Sequence, residues 1–234
     1  MNSSAAPRVA VRVDASAAIG TGHLKRCLSL AQVLTEVGAE VRFVCRRLDA
    51  VAAHVLTGVA TPVIWLPAPA GTGSPAPEAP PHAAWAGVPQ ERDARDTAQA
   101  LDSWLPEWVI VDHYAFDARW HHAVRTALGS RLLVIDDTAD RTLAPDALLD
   151  HNWDADHRTK YAGRLKREPL WLCGPRFALL AGAYRGAGQY RFQHTVRSVG
   201  IFMGGTDPGG VSARVLLACR SAGFAGPVEV VSTS

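Results

Sequence analysis

The stretch VAVRVDASAAIGTGHLKRCL, residues 9–28, joins a short apolar run to a glycine-containing turn and the beginning of an amphipathic helix. The run Val9–Val13 predicts a buried strand, and residues 22–37 predict a helix because their apolar side chains recur at helical spacing. Gly38 stands where such a helix needs a C-terminal cap. A strand that leads through glycines directly into a helix is typical of the first unit of a parallel α/β sheet.

The alternation of strand and helix continues along the chain. Runs rich in Val and Ile are separated by segments of helical period, which predicts an α/β protein with a parallel, Rossmann-like sheet. Further strands are predicted at 41–45, 63–66, 108–111, 132–135, 147–149 and 170–173, and helices at 49–58, 91–104 and 117–128. Residues 67–90 are rich in Pro, Ala and Gly and have no apolar period, so they are predicted to form a loop or flexible insertion.

A second lobe is predicted after residue 197. Residues 182–197 carry glycines and arginines with little apolar period, as expected of an interdomain linker. A new strand, a glycine-rich turn, a helix and a strand follow at 199–203, 204–210, 211–221 and 228–231. The predicted domains are a first lobe over 1–181, the linker over 182–197, and an incomplete, Rossmann-like lobe over 198–234.

Composition excludes several classes of function. The chain has 48% hydrophobic and 20% charged residues and a net charge of +2, without a basic block that would indicate a nucleic-acid surface. No apolar run is long enough to cross a bilayer, and the N-terminus has no secretory signal pattern. The four cysteines are far apart, as expected of buried reduced thiols. We therefore expect a cytoplasmic protein with no nucleic-acid or membrane partner, and leave its oligomeric state open.

The turn from Asp14 to His23 is the first candidate site. Gly20 and Gly22, at the carboxyl end of a strand, let the backbone approach a ligand and leave N–H groups pointing outward. His23 stands at the helix start, where the positive field of the helix dipole disfavours the imidazolium. A neutral His23 could accept a proton as a general base. On spacing alone, a His23 that only caps the helix is an equal alternative.

Polar residues also follow the fourth and fifth predicted strands. Asp112, His113 and Tyr114 follow one, and Asp136 and Asp137 follow the other. Because the carboxyl ends of parallel strands share one edge of the sheet, these residues face the expected ligand crevice. His113 and Tyr114 could orient a sugar and Asp112 could hold a histidine tautomer; alternatively, these residues only cap turns and helices. No third carboxylate stands at ligand spacing, so no metal site is predicted.

The run Met203-Gly204-Gly205-Thr206-Asp207 forms the corresponding turn of the second lobe. Its backbone donors suit a diphosphate or the sugar attached to it. The turn has neither the GK[ST] of a Walker motif nor the full GxGxxG spacing. Two glycine-rich strand–helix turns, one in each lobe, predict a single ligand held between the lobes.

Two smaller expectations concern ring-bearing side chains. His121 and His122 lie in the middle of a predicted helix and are expected to be exposed. Trp65, Trp108 and Trp171 fall in predicted strands and are expected in the core.

Six ordered segments resemble one known family. The segments are DASAAIGTGHLKR (14–26), DHYAFDARW (112–120), VIDDTADR (134–141), LLDHN (148–152), LCGPRFALL (172–180) and FMGGTDP (202–208). They occur in the same order in the UDP-2,4-diacetamido-2,4,6-trideoxy-β-L-altropyranose hydrolases of pseudaminic acid biosynthesis. The resemblance covers nearly the whole chain apart from the insertion at 67–90.

The resemblance implies a fold similar to the two-lobed GT-B glycosyltransferases. It also implies metal-independent hydrolysis of a UDP-sugar to free sugar and UDP, with water as the nucleophile, no cofactor, and His23 of the GxGH turn as the catalytic base. Tyr114 and Asn152 are implied at the sugar and Gly204–Thr206 at the nucleotide. The predicted substrate-binding residues are Asp14, Gly20, Thr21, Gly22, Arg26, Asp112, His113, Tyr114, Asp136, Asp137, Asn152, Met203, Gly204, Gly205, Thr206 and Asp207.

Two other functions stay open on the sequence. A GT-B glycosyltransferase would use an acceptor hydroxyl in place of water. A truncated, non-catalytic relative would bind a nucleotide sugar or a partner protein without turnover. Proteins of the resembling family continue past the residue where this chain ends, so we expect weak nucleotide affinity if the chain is naturally this short.

Overall fold

The computed structural model describes residues 6–70, 78–184, 186, 188, 191–204, 207 and 209–231. The chain divides into two compact units, Met1–Gly182 and Ala183–Ser234. The predicted ligand-binding residues Gly205 and Thr206 lie outside the described residues.

Within its described residues, the first unit contains a seven-stranded parallel sheet in the order β3-β2-β1-β4-β5-β6-β7. The strands are β1 Arg8–Val13, β2 Glu40–Arg46, β3 Val63–Leu66, β4 Trp108–Asp112, β5 Arg131–Ile135, β6 Ala147–Asp150 and β7 Leu170–Cys173. The strand order reverses between β1 and β4, because the chain builds outward from β1 to β3 and then returns to β4 on the other side. Such a reversal opens a crevice at the carboxyl ends of the two central strands.

Helices connect these strands. They are α1 Gly22–Glu36, α2 Val51–Val55, α3 Gln90–Leu101, α4 Ala118–Leu128 and α5 His157–Lys160, with 3₁₀ turns at Ala83–Ala86, Pro175–Phe177 and Gly182–Tyr184. The predicted cap of α1 is confirmed: Gly38 has a φ of 94° and its N–H donates to the Thr35 carbonyl. The positive φ turns the chain sharply toward β2, at a conformation that favours glycine. By contrast, α2 is shorter than the predicted helix at 49–58.

The sheet separates two apolar clusters. Val9, Val11 and Val13 of β1 face the cluster that contains the buried stripe of α1, whereas Ala10 faces the cluster beneath α3 and α4. This alternation is the period-two pattern of a strand with both faces covered. The near-continuous apolar run in β1 is therefore explained by helices on both sides of the sheet.

A network of buried charges interrupts the apolar cluster beneath α3 and α4. Arg12 follows Ala10 on the same face of β1 and has no exposed area. Its guanidinium binds Asp14 at 2.6 Å and Asp93 of α3 at 2.7 Å. Arg46 of β2 also binds Asp93, at 2.8 Å, and Trp120 donates its indole N–H to the same carboxylate at 3.0 Å. Two buried cations thus face two buried anions, which compensates charges that would otherwise be very unfavourable in the interior.

The second unit, over the residues described, is one strand–helix–strand motif. Strand β8 Val199–Phe202 pairs in parallel with β9 Val228–Val231, and α6 Val211–Ser221 connects them. The predicted helix at 211–221 and strand at 228–231 are confirmed.

The structure corrects the prediction for residues 67–90, of which 71–77 are not described. The segment is not a uniform loop, because Ala83–Ala86 forms a 3₁₀ turn and Ala86 is buried. The helix that follows begins at Gln90.

The structure also overturns two expectations about ring-bearing side chains. His121 is completely buried rather than exposed, and its Nδ1 accepts a hydrogen bond from the Ala144 N–H at 3.1 Å. Burial lowers the pKa of His121 to about 3. The strand tryptophans Trp65, Trp108 and Trp171 are only partly buried, whereas the core contains two others, Trp104 and Trp120.

Candidate active site

The candidate site lies at the carboxyl edge of β1 and β4. His23 is the second residue of α1, after the turn that follows β1, and Asp112 is the last residue of β4. The two strands are neighbours in the sheet, with Val13 opposite Asp112. Ligand sites of open α/β sheets occur at such a reversal of strand order. The fold therefore brings together two of the predicted residues that are far apart in sequence.

His23 and Asp112 form a hydrogen-bonded pair. The Nδ1 atom of His23 lies 2.6 Å from Oδ1 of Asp112. Because an ionised carboxylate only accepts hydrogen bonds, Nδ1 carries a proton, and Nε2 is the ring nitrogen left to exchange one. Nε2 has no hydrogen-bond partner among the residues that the structure describes, and 12% of the His23 side chain is exposed. This is the geometry of a general base held in one tautomer.

Arg26 fixes the carboxylate of Asp112. Its Nε donates to Oδ2 and its Nη2 to Oδ1, each at 2.6 Å. Burial opposes ionisation of Asp112, but the hydrogen bonds from Arg26 and His23 lower its pKa to about 2. The Nη2 atom of Arg26 also lies 3.1 Å from His23 Nδ1, because both nitrogens donate to the same oxygen, Oδ1 of Asp112. His23 and Arg26 meet the same carboxylate because residues three apart lie on one face of a helix.

Two aromatic rings contact His23, and a third contacts both of them. The Tyr114 ring centroid is 4.7 Å from that of His23, nearly perpendicular to it, and Trp85 is 6.1 Å away in a similar orientation. His82 lies 4.6 Å from Trp85 and 5.6 Å from Tyr114. The sequence pattern did not point to His82 or Trp85, since both fall in the predicted insertion. The only local signal was a tryptophan in a segment of otherwise small residues.

Polar groups lie beside the rings. The Tyr114 hydroxyl donates to one oxygen of Asp137, and the Asn152 amide donates to the other at 2.9 Å. Burial and the neighbouring Asp137 raise the pKa of Tyr114, so the phenol keeps its proton at neutral pH. The predicted sugar-site residues Tyr114, Asp137 and Asn152 are therefore connected in one chain of hydrogen bonds.

Three other predicted substrate-binding residues are buried. Asp14 and Asp136 have no exposed area, and His113 is 3% exposed. Asp14 binds Arg12, and His113 Nε2 lies 3.2 Å from the second oxygen of Asp14. Asp136 binds Arg141 at 2.6 Å. Because these side chains contact protein groups and almost no solvent, in this structure they position their neighbours instead of facing a ligand.

Several N–H groups of the turn before α1 already donate within the protein instead of pointing outward: that of Ala17 to Asp49 at 2.8 Å and that of Ile19 to the Ser16 hydroxyl at 3.1 Å. Gly20 adopts a φ of 80°, and its N–H donates to the Ser16 carbonyl at 2.7 Å. No side chain caps α1 at Thr21, and the first turn contains no acidic residue. Gly22 is exposed. The positive end of a long helix therefore lies beside His23 without an anionic group of its own.

The corresponding turn of the second unit differs. Met203 and Gly204 are exposed. The carboxylate of Asp207 accepts hydrogen bonds from the N–H groups of Val211 and Ser212, at 2.8 and 2.9 Å. These first-turn amides of α6 are thus already occupied by a side chain of the preceding turn. An anion could bind there only by displacing Asp207.

Among the described residues, no group of three or more His, Cys, Asp or Glu side chains is placed to hold a metal ion. None of the described helices combines the length and apolar character needed to cross a bilayer.

No protein-family model matches the chain, and no relative was found among the curated proteins. The fold does match solved structures. Arabidopsis thaliana UGT89C1 complexed with quercetin has a TM-score of 0.58 at 14% identity, over 97% of this chain and 69% of that one. The same protein complexed with UDP-L-rhamnose has a TM-score of 0.54 at 14% identity, over 97% and 70%. LpCGTa in complex with UDP has a TM-score of 0.39 at 22% identity, and this chain covers 30% of its length. The likeness to UGT89C1 confirms the predicted GT-B-like fold.

Proposed function

We propose that this chain hydrolyses a UDP-linked diacetamido-trideoxy sugar to free sugar and UDP, in the biosynthesis of pseudaminic acid. The observation that carries the proposal is the His23–Asp112 pair, with a 2.6 Å hydrogen bond and an unpaired Nε2 at the reversal of strand order. The GT-B-like fold supports a nucleotide-sugar substrate, and the six ordered segments supply the sugar and the choice of hydrolysis.

In the proposed reaction, His23 Nε2 takes a proton from water as the water oxygen attacks the anomeric carbon. The bond from that carbon to the diphosphate oxygen breaks on the opposite face, and its electron pair leaves with UDP. One displacement inverts the anomeric configuration, and no step uses a metal. Asp112 stabilises the imidazolium that forms, while Arg26 keeps Asp112 in place.

The remaining predicted residues are assigned to binding. Tyr114, Asp137 and Asn152 provide a phenol, a carboxylate and an amide for the hydroxyl and acetamido groups of the sugar. The open start of α1 suits the anionic diphosphate, because helix N-termini attract negative charge. Following the resemblance, we assign the turn at 203–207 to the nucleotide.

The test is UDP release from the UDP-linked 2,4-diacetamido-2,4,6-trideoxy sugar by the wild type and the His23→Ala variant. Loss of a general base should lower turnover by about 10²–10⁴-fold. The His122→Ala variant is a matched control, because His122 is exposed on α4. Circular dichroism checks that each variant is folded. Turnover by a folded His23→Ala variant at the wild-type rate would remove His23 from the mechanism.

A glycosyltransferase is the second candidate, because UGT89C1 matches the fold in complexes with quercetin and with UDP-L-rhamnose. The same base could deprotonate an acceptor hydroxyl instead of water. Product analysis by NMR separates the two: free sugar of inverted configuration supports hydrolysis, and a glycoside formed only with an added acceptor supports transfer. Calorimetric binding of the nucleotide sugar without any turnover would indicate a non-catalytic relative.

A further inference from the structure

We propose that His82, Trp85 and Tyr114 form an aromatic wall that binds the apolar face of the sugar and selects which sugars the site accepts. The inference rests on the proposed function for the identity of the ligand. Its own evidence is the packing of residues 78–89 around His23, which neither the glycine turn nor the resemblance predicts.

The three rings contact one another on one side of His23. Trp85 and Tyr114 are stacked, with centroids 5.9 Å apart and planes inclined by 29°. His82 lies 4.6 Å from Trp85. Both Trp85 and Tyr114 direct their planes nearly perpendicular to the His23 ring. All three rings are partly exposed, so the wall has accessible ring surface beside the catalytic base.

The chain is anchored at Trp85 and at the two residues that follow it. Trp85 packs against the apolar cluster beneath α3 and α4, and Ala86 is 1% exposed. Gly87 has a φ of 67°, and a Cβ there would lie 2.6 Å from the Pro69 ring. Such close packing allows only glycine. The position of Trp85 is therefore set before any ligand arrives, which lowers the entropic cost of binding.

His82 lies near the carboxylate of Asp140. Its Nε2 lies 3.8 Å from Oδ2 of Asp140, and about a third of its side chain, 34%, is exposed. Asp140 lies in the same turn after β5 as Asp137. The His82–Asp140 pair therefore connects the aromatic wall to the turn that carries Asp137. The imidazole ring is held between Asp140 and the Trp85 face.

The aromatic wall and the polar residues Asp137 and Asn152 differ in the ligand groups that they can bind. Ring faces interact well with C–H and methyl groups, whereas Asp137 and Asn152 offer hydrogen bonds. A trideoxy sugar with two acetamido groups has three methyl groups for the rings, and N–H and carbonyl groups for the polar side. A hexose that carries hydroxyls in place of these groups would place polar atoms against the rings without partners. An apolar surface rejects an added hydroxyl by at most about 10²-fold, so the selectivity expected from the wall is moderate.

Trp85 could instead serve only to fill the core beside Ala86. A purely structural tryptophan would affect stability but would leave the relative affinities of different ligands unchanged. Ligand selectivity therefore separates the two roles.

The experiment measures affinity by calorimetry in the His23→Ala background, where turnover does not consume the ligand. The ligands are the UDP-linked diacetamido-trideoxy sugar, UDP-N-acetylglucosamine and UDP. The Trp85→Ala variant should bind the deoxy sugar nucleotide about 5–10-fold more weakly, while its affinity for UDP stays within about 2-fold. Trp85→Phe should retain most of the affinity. Trp108→Phe, in the first residue of β4 at the opposite edge of the sheet, is the matched control.

Each outcome separates this inference from the proposed function. Equal ligand affinities in the His23→Ala parent and in its Trp85→Ala derivative would overturn the wall even if hydrolysis is established. Binding that depends on Trp85, together with no turnover by the protein that keeps His23, would support the wall and refute the hydrolase. Failure of the parent to bind either nucleotide sugar would overturn both. If Trp85→Ala does not fold, Trp85→Leu, which keeps apolar volume without an aromatic ring, takes its place: weaker binding of the deoxy sugar nucleotide is expected for Trp85→Leu and not for Trp85→Phe or Trp108→Phe.

Discussion

Val13 of β1 and Asp112 of β4 are partners in the parallel ladder at the centre of the sheet. Asp112 is therefore positioned by strand register, whereas His23 reaches it from α1, after the turn that follows β1. A one-residue slip between these strands would point Asp112 to the other face and separate it from His23.

Replacement of Asp112 by Asn should remove the charge that stabilises the His23 imidazolium. The amide can also donate to Nδ1 and so favour the wrong tautomer, as a related aspartate-to-asparagine change does in serine proteases. We expect turnover to fall by about 10²–10⁴-fold, measured as UDP release. Asp156→Asn is the control, since Asp156 is an exposed cap of α5. An Asp112→Asn variant within about 2-fold of wild type would show that the carboxylate has no role in the chemical step.

The Arg12→Met variant should destabilise the first unit strongly. It leaves Asp14 without a guanidinium partner and Asp93 with that of Arg46 alone. Breaking a buried ion pair by removing one partner typically lowers the free energy of unfolding by about 3–5 kcal/mol. Arg42→Met is the matched control, because Arg42 forms an exposed pair with Glu40 that should contribute at most about 1 kcal/mol. Urea unfolding measures both; equal losses would contradict the assigned importance of the network.

His121 should make stability depend on pH below neutrality. Its folded-state pKa is lowered by burial from 6.5 to about 3, so the unfolded state binds a proton that the folded state excludes. Stability is unaffected by this group above pH 6.5 and is lost as pH falls from 6.5 toward 3. The slope approaches about 1.4 kcal/mol per pH unit.

The His121→Asn variant tests this dependence, because the Asn oxygen can replace Nδ1 as acceptor of the Ala144 N–H. Between pH 6 and pH 4 the unfolding free energy of the variant should fall less steeply than that of the wild type. The acidic residues titrate in both proteins, so their contribution cancels in the comparison. His122→Asn, exposed on the same helix, should not change the slope. Parallel curves for His121→Asn and wild type would rule out this assignment.

The Asp207→Ala variant should loosen the start of α6. The carboxylate satisfies two first-turn N–H groups, and loss of such a cap typically reduces helix stability by about 1 kcal/mol. Amide hydrogen exchange at Val211 and Ser212 should become about 5-fold faster. Asp207→Asn should retain part of the protection through its remaining oxygen. Unchanged exchange in the Ala variant would mean that other groups cap this helix.

The central features of the fold could be predicted because they depend on local pattern. The apolar run of β1, the glycine turn and the helical stripe of α1 lie within one short stretch, and Gly38 marks where the helix ends. The placement of His23 near Asp112 also follows from pattern, since the carboxyl ends of parallel strands meet at one edge.

The rest depends on tertiary packing that periodicity does not encode. In the sequence, Arg12 is only a polar residue within an apolar strand, because its pairing with Asp93 of α3 is a tertiary contact. His121 has no sequence signal of burial either, since the Ala144 N–H that donates to its Nδ1 comes from a different segment. Trp85 lies in a segment whose composition predicts a loop, so its contact with His23 appears only when the chain folds.

The bridging role of Asp93 has a consequence for protein engineering. One carboxylate ties α3 to β1 and β2, so the helix after residues 78–89 is held by the sheet and not by that segment. Residues 78–85 can therefore be redesigned, for example to present a different set of rings, while the strand edge that carries His23 and Asp112 is left in register. Selectivity and turnover are separable design variables in this scaffold.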